Sequence, residues 1–175
     1  VGVGAVGVWS CPDCRRDFGA VGRSHICQPG LSVDAFLAGA PAFVPPVFDA
    51  VHEHLVAVDD RDEHGALIVD PIDGKVLFKN GPTFCILEVK TKWVAVGFSL
   101  RRQLESGRLS RKVLDYGTKF FHVVNVSDPE QVDDEFRDWL SEAYRHGDEP
   151  AEPAASSGDP MVPDDVDIVI APPPD

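Results

Sequence analysis

Cysteine is scarce in this chain, and the usual signatures of catalysis are scarcer. Only four cysteines occur in 175 residues. There is no glycine-rich phosphate loop and no nucleophile elbow, so the common nucleotide-binding and serine-hydrolase chemistries have no sequence basis. No apolar run approaches the ~20 residues needed to span a bilayer. The segment Val1 to Val8 is apolar and glycine-rich but has no basic n-region and no polar cleavage site, so it reads as a flexible extension and not a signal peptide. Lysine and arginine are missing from residues 147–175, which hold eight acids.

Three of the four cysteines are spent in one place. Cys11-Pro12-Asp13-Cys14 and His25-Ile26-Cys27 make the pattern C-x2-C-x10-H-x-C. That is four soft or borderline ligands, the number a closed tetrahedral zinc site needs, and no position is left open for water. Cys11, Cys14, His25 and Cys27 are therefore the expected zinc ligands, in a knuckle that holds the fold and does no chemistry. Phe18 is placed to cover one side of the site. Arg15, Arg16 and Arg23 lie close in sequence and are expected to keep the thiolates deprotonated. Cysteines in metal spacing and no export signal point to a reducing, cytoplasmic setting.

The net charge of −13 is unevenly spread. From Lys75 to Val126 ten Lys/Arg face three acids, a local excess of +7. Lys90, Lys92, Arg101, Arg102, Arg108, Arg111 and Lys112 fall on adjacent strands and turns, with Trp93, Phe98 and Tyr116 nearby. Such a face can track phosphates and stack on bases, which makes a nucleic acid or other anion one expected ligand and a protein partner another. The whole-chain charge alone would have argued against nucleic acid.

Periodicity gives an α+β fold. Ser32 caps a short helix through Leu37, with Gly39 and Pro41 beyond it. A longer helix opens at Pro45-Pro46, with Val44, Val47, Phe48, Val51, Leu55 and Val58 on one face. His52 and His54 point apart and read as solvated helix surface, and Asp59 to Glu63 as an exposed loop. Strands follow over 66–70, 75–78, 83–89, 93–101, 108–116 and 119–126, joined by short turns at Asp73-Gly74, Asn80-Gly81, Ser106-Gly107 and Gly117-Thr118. Short turns imply a meander of about six successive antiparallel neighbours, covered by two main helices. Ser127-Asp128-Pro129-Glu130 reads as a capping box for the last helix, whose stripe is Val132, Phe136, Trp139, Leu140 and Ala143. The expected organisation is an extension over 1–8, a zinc knuckle over 9–30, an α+β domain over 31–147 and a disordered acidic tail over 148–175.

Two other functions have some sequence support. Asp70 with Glu88-Val89-Lys90 is the acid and Glu-x-Lys arrangement of a Mg²⁺-dependent nuclease, although such enzymes place crossover helices between these strands. Val166 to Ile170 is a β-prone run in the acidic tail that would serve a protein-interaction adaptor. Cys85 and His122, inside apolar strands, read as core residues and not as nucleophile and base. No catalytic residue is assigned, and the balance points to a non-enzymatic module.

The two ends of the domain carry a family resemblance. Cys11 to Phe18, Ser24 to Cys27 and Asp34 to Gly39, with Phe121 to Val126, Asp128 to Glu135 and Trp139 to Tyr144, resemble small bacterial, actinobacterial-type zinc-knuckle proteins that continue into a domain of unknown function. The resemblance covers about residues 9 to 147. It implies zinc on Cys11, Cys14, His25 and Cys27 and no established catalytic residues. Asp73-Gly74 stands where that resemblance suggests a Lys-Thr pair, which removes a positive charge from any shared anion site.

Overall fold

A computed structural model describes residues 9–18, 21, 22, 25, 27, 29–60, 64 and 66–146. The expectations for residues 1–8, for Arg23, for most of the acidic run before Gly65 and for the tail lie outside these.

Two short strands, β1 (Trp9–Ser10) and β2 (Asp17–Phe18), pair antiparallel around the Cys-Pro-Asp-Cys turn. Helix α1 (Val33–Ala38) starts at Ser32, whose Oγ accepts from the Ala35 N–H at 3.1 Å. Helix α2 (Val44–Val58) begins with Pro45 and Pro46 in its first turn, where a missing N–H costs nothing. Five of its six predicted stripe residues are buried: Val44, Val47, Phe48, Val51 and Leu55.

Strands β3 (Ile68–Ile72), β4 (Lys75–Lys79), β5 (Thr83–Val89) and β6 (Val94–Leu100) then run as successive antiparallel neighbours. Gly74, at φ 70°, supplies the left-handed residue that the tight β3–β4 turn requires. The predicted order fails at the next step. The expected strand 108–116 shortens to β7 (Leu114–Asp115) plus one bridge from Leu109 to Val124. Strand β8 (Phe120–Val126) pairs directly with β6, so β7 lies outside it and the order is β3-β4-β5-β6-β8-β7. Arg108 explains part of this. Its guanidinium turns to Asp133 at 2.7 Å and to the Gln131 carbonyl at 2.5 Å, pulling the chain off a strand path.

The predicted capping box also forms one residue later than expected. Asp128 accepts from the Glu130 N–H at 2.8 Å while Gln131 Oε1 accepts from the Asp128 N–H at 3.1 Å. This box opens a 3₁₀ turn, Pro129–Gln131. The helix proper, α3 (Asp134–His146), starts after Asp133, which accepts from the Phe136 N–H at 3.1 Å.

Because strand side chains alternate, one sheet face carries Val76, Phe78, Cys85, Leu87, Val96, Phe98 and Val124. These pack with the helix residues Phe36, Val47, Phe48, Leu55, Phe136, Leu140 and Tyr144 into the main core. The architecture is thus the expected α+β one: a six-stranded antiparallel sheet with two main helices on one face. His52 and His54 are not solvated surface. His52 is half-buried and stacks on Phe48, and His54 Nε2 lies 2.8 Å from Ser141 Oγ and 2.9 Å from the Arg137 carbonyl, joining α2 to α3.

Candidate metal centre and open sheet face

The first turn is built to gather sulfur. Arg15 adopts φ 58° and its N–H donates to the Cys11 carbonyl at 2.8 Å, while the Cys11 N–H donates to the Arg16 carbonyl at 2.9 Å. This tight loop aims the backbone N–H of Cys14 at the Cys11 sulfur. That hydrogen bond is the main reason the Cys11 thiol is lowered to about 7. Cys11 Sγ lies 3.8 Å from Cys27 Sγ, and Cys14 Sγ lies 3.4 Å from His25 Nε2. The four ligand atoms of Cys11, Cys14, His25 and Cys27 all fall within 4.8 Å of one another, a group that could hold a metal ion. No other such cluster forms among the described residues. Phe18 covers the site as expected, its ring 4.1 Å from that of His25, and Trp9 closes a second side at 6.0 Å.

Arg16 does something other than tend the thiolates. It is buried and reaches the β3 residue Asp70, with Nη2 at 2.6 Å from Oδ2 and Nε at 2.9 Å from Oδ1. Lys79 of β4 donates to the same carboxylate. Desolvation alone would raise the Asp70 carboxyl, but the Arg16 and Lys79 hydrogen bonds outweigh it and hold the group below its usual range. Lys79 Nζ also sits 4.7 Å from the Phe18 ring centroid. The knuckle is therefore docked on the β3–β4 end of the sheet through a buried cation–carboxylate–cation cluster. The Leu31 N–H adds a bond to the Pro71 carbonyl at 2.9 Å. Gly30 packs closely here: a Cβ would lie 3.0 Å from Arg16 Cγ, so that side chain would have to give by a few tenths of an ångström. A cleft of about 540 Å³ follows the seam, lined among others by Cys14, Arg15, Arg16, Gly30 and Asp70.

The nuclease arrangement does not assemble. Asp70 is committed to Arg16 and Lys79, and Glu88 pairs with Lys90 at 2.8 Å and Lys75 at 3.8 Å. The two acids share a sheet face but stand two strands and two residues apart, on the order of 10 Å, too far for one ion. Cys85 is fully buried, and burial pushes its thiol far up. His122 is buried against Phe98 and accepts from the Leu104 N–H at 3.0 Å, so burial keeps its ring neutral.

The seven predicted cations do not form one patch. Lys90 and Lys92 stand at the β5–β6 turn, whereas Arg101 and Arg102 follow the other end of β6, roughly 20 Å away. Arg102 is bound to Glu142 at 2.8 Å, and Arg108 to Asp133 and Glu135. Phe98, expected beside the cations, is buried under α3, and Tyr116 is exposed near the outer β7 edge. Arg111 lies instead over Phe121 at 5.7 Å. Phe121 leans across β6 because residue 97 is glycine: a Cβ there would come 2.4 Å from Phe121 Cζ. The sequence signal for this aromatic was the lone glycine inside a strand run, a mark of close approach.

No helix among the described residues is long and apolar enough to cross a membrane. No curated protein and no solved structure matches the chain. The model of a domain of unknown function, DUF5655, matches residues 33–147, so the α+β domain that carries the knuckle places this chain in the DUF5655 family.

Proposed function

We propose that the chain is a non-enzymatic zinc-binding module that engages its partner through the sheet face turned away from the helices. The ligand geometry carries the metal half of this reading. A tetrahedral ion with Zn–S bonds of about 2.3 Å sets sulfurs about 3.8 Å apart. Cys11 and Cys27 are 3.8 Å apart. Three thiolates and an imidazole favour zinc over the hard cations, which prefer oxygen. Bound there, zinc would cross-link the β1–β2 turn to the His25–Cys27 segment, leaving no coordination position for water. Free cysteines in this pattern suit a reducing, cytoplasmic setting.

Zinc content settles this directly. Purified protein should carry about one zinc per chain by plasma mass spectrometry, and Cys14→Ser should lose it. A metal-free protein with undiminished thermal stability would sink the reading. The partner half rests on the open face and its cations Lys75, Lys90 and Arg111, none of which pairs with the acids of α3 among the described residues. Arg102 and Arg108 serve the fold.

A further inference from the structure

We propose that the open sheet face is a trough for single-stranded nucleic acid, with Phe121 and Arg111 as its stacking centre and the metal knuckle as one wall. This rests on the partner-binding reading above and gives that partner a chemistry.

Register defines the floor. Leu77, Ile86, Gly97 and Val123 form one row across four strands, and Lys75, Glu88, Ala95 and Asn125 form the next. The helices pack on the opposite face, so among the described residues no helix covers these rows. Leu77, Ile86 and Ala95 remain half-buried, an apolar floor still in reach of solvent. Across it leans Phe121, over Gly97. On the β3–β4 side Asp70 and Lys79 project from this same face and are capped by Arg16 and Phe18, so the knuckle bounds the floor there. On the β8 side the guanidinium of Arg111 bounds it.

Charge selects the occupant. Lys75 and Lys90 share the single acid Glu88. Arg111 has no carboxylate partner among the described residues, and its buried Nε has no hydrogen-bond acceptor there. The face is thus about +2 in a chain of −13. That is too little charge to hold a polyanion by electrostatics alone, but it is set around a ring and a guanidinium plane. A single strand offers both phosphates and open base faces, and each base stacked on an aromatic adds affinity. A duplex keeps its bases inside, and an acidic peptide would use the cations while leaving Phe121 idle.

The test is fluorescence anisotropy on the full, zinc-loaded chain at low salt, with labelled oligothymidylate and oligouridylate, a duplex of equal length and polyglutamate. Single strands should bind at least about tenfold more tightly than the duplex or polyglutamate. The log–log salt slope should be about −2, from three cations at about 0.7 each. Phe121→Leu keeps an apolar side chain against Gly97 and should cost about tenfold in affinity; Arg111→Ala should reduce the slope by about 0.7. Circular dichroism and zinc content show that each variant is folded. Equal binding of duplex or polyglutamate, or full affinity in folded Phe121→Leu, would overturn the trough. So would the absence of single-strand binding in protein with its full zinc complement, and that result would leave the zinc reading standing. Zinc-free protein is the separate failure of that other reading.

Discussion

Asp70 shows how one residue type serves two different hypotheses until its neighbours are known. A carboxylate two residues before the end of a strand is equally suited to a metal or to a salt bridge; here Arg16 and Lys79 take it. Removing it would take from two buried cations the carboxylate they share, and breaking a buried pair typically costs about 3–5 kcal/mol. Asp70→Ala should therefore lower the urea midpoint of the zinc-loaded protein by an amount in that range, while Glu88→Ala, which removes only partly exposed pairs, should change stability by less than about 1 kcal/mol. Equal effects in urea melts would contradict the docking role. His122 and His54 make a second prediction at this scale. Burial lowers both values, so the folded state holds neutral rings while the unfolded chain protonates at about 6.5. A depressed folded value means that stability is complete above pH ~6.5 and falls as pH drops below it. Arg102, beside His122, deepens that shift and Glu142 opposes it. Melting temperature should decline between about pH 6.5 and 5, and His122→Gln should make that decline shallower. An unchanged slope would show that His122 does not contribute.

Among the elements, α3 organises the packing. Phe136 meets Phe98 at a tilt and Trp139 edge-on and is fully buried, so Phe136→Ala should cost about 3–5 kcal/mol in chemical unfolding. A loss under ~1 kcal/mol would mean the helix is not packed as described. The same helix explains why the fifth expected strand, 108–116, shortens. Its N-terminal acids and the preceding turn draw Arg108 away from the sheet, and Arg108 also lies 5.7 Å from the Phe136 ring. A strand prediction sees Arg108 to Tyr116 only as a local run; the competing ion pairs come from residues 25 and 27 positions downstream. The helices were easier to read because their stripes and proline starts are local properties.

At the scale of the whole molecule, knuckle and sheet meet through one seam, the Arg16–Asp70–Lys79 cluster. If zinc orders the knuckle, it also positions Arg16 over Asp70. Chelation should then lower the melting temperature of the entire domain, and Asp70→Ala should cost less in chelated than in zinc-loaded protein. Strictly additive effects in that double cycle would show that the knuckle and the sheet unfold independently.

That Cys11, Cys14, His25 and Cys27 gather in one cluster was legible in the sequence, since residue type and spacing are covalent facts about the chain. So were the α+β class and most strand limits, because side-chain alternation and turn residues are set within a few positions. The sequence could not decide which face each cation would join, because that depends on strand order and on acids far away. Seven basic residues looked like one patch; tertiary structure divided them between two ends of the sheet and spent Arg102 and Arg108 on α3. It also set Phe121 over Gly97 with Arg111 against its ring, since only the β6–β8 pairing brings residues 97 and 121 together.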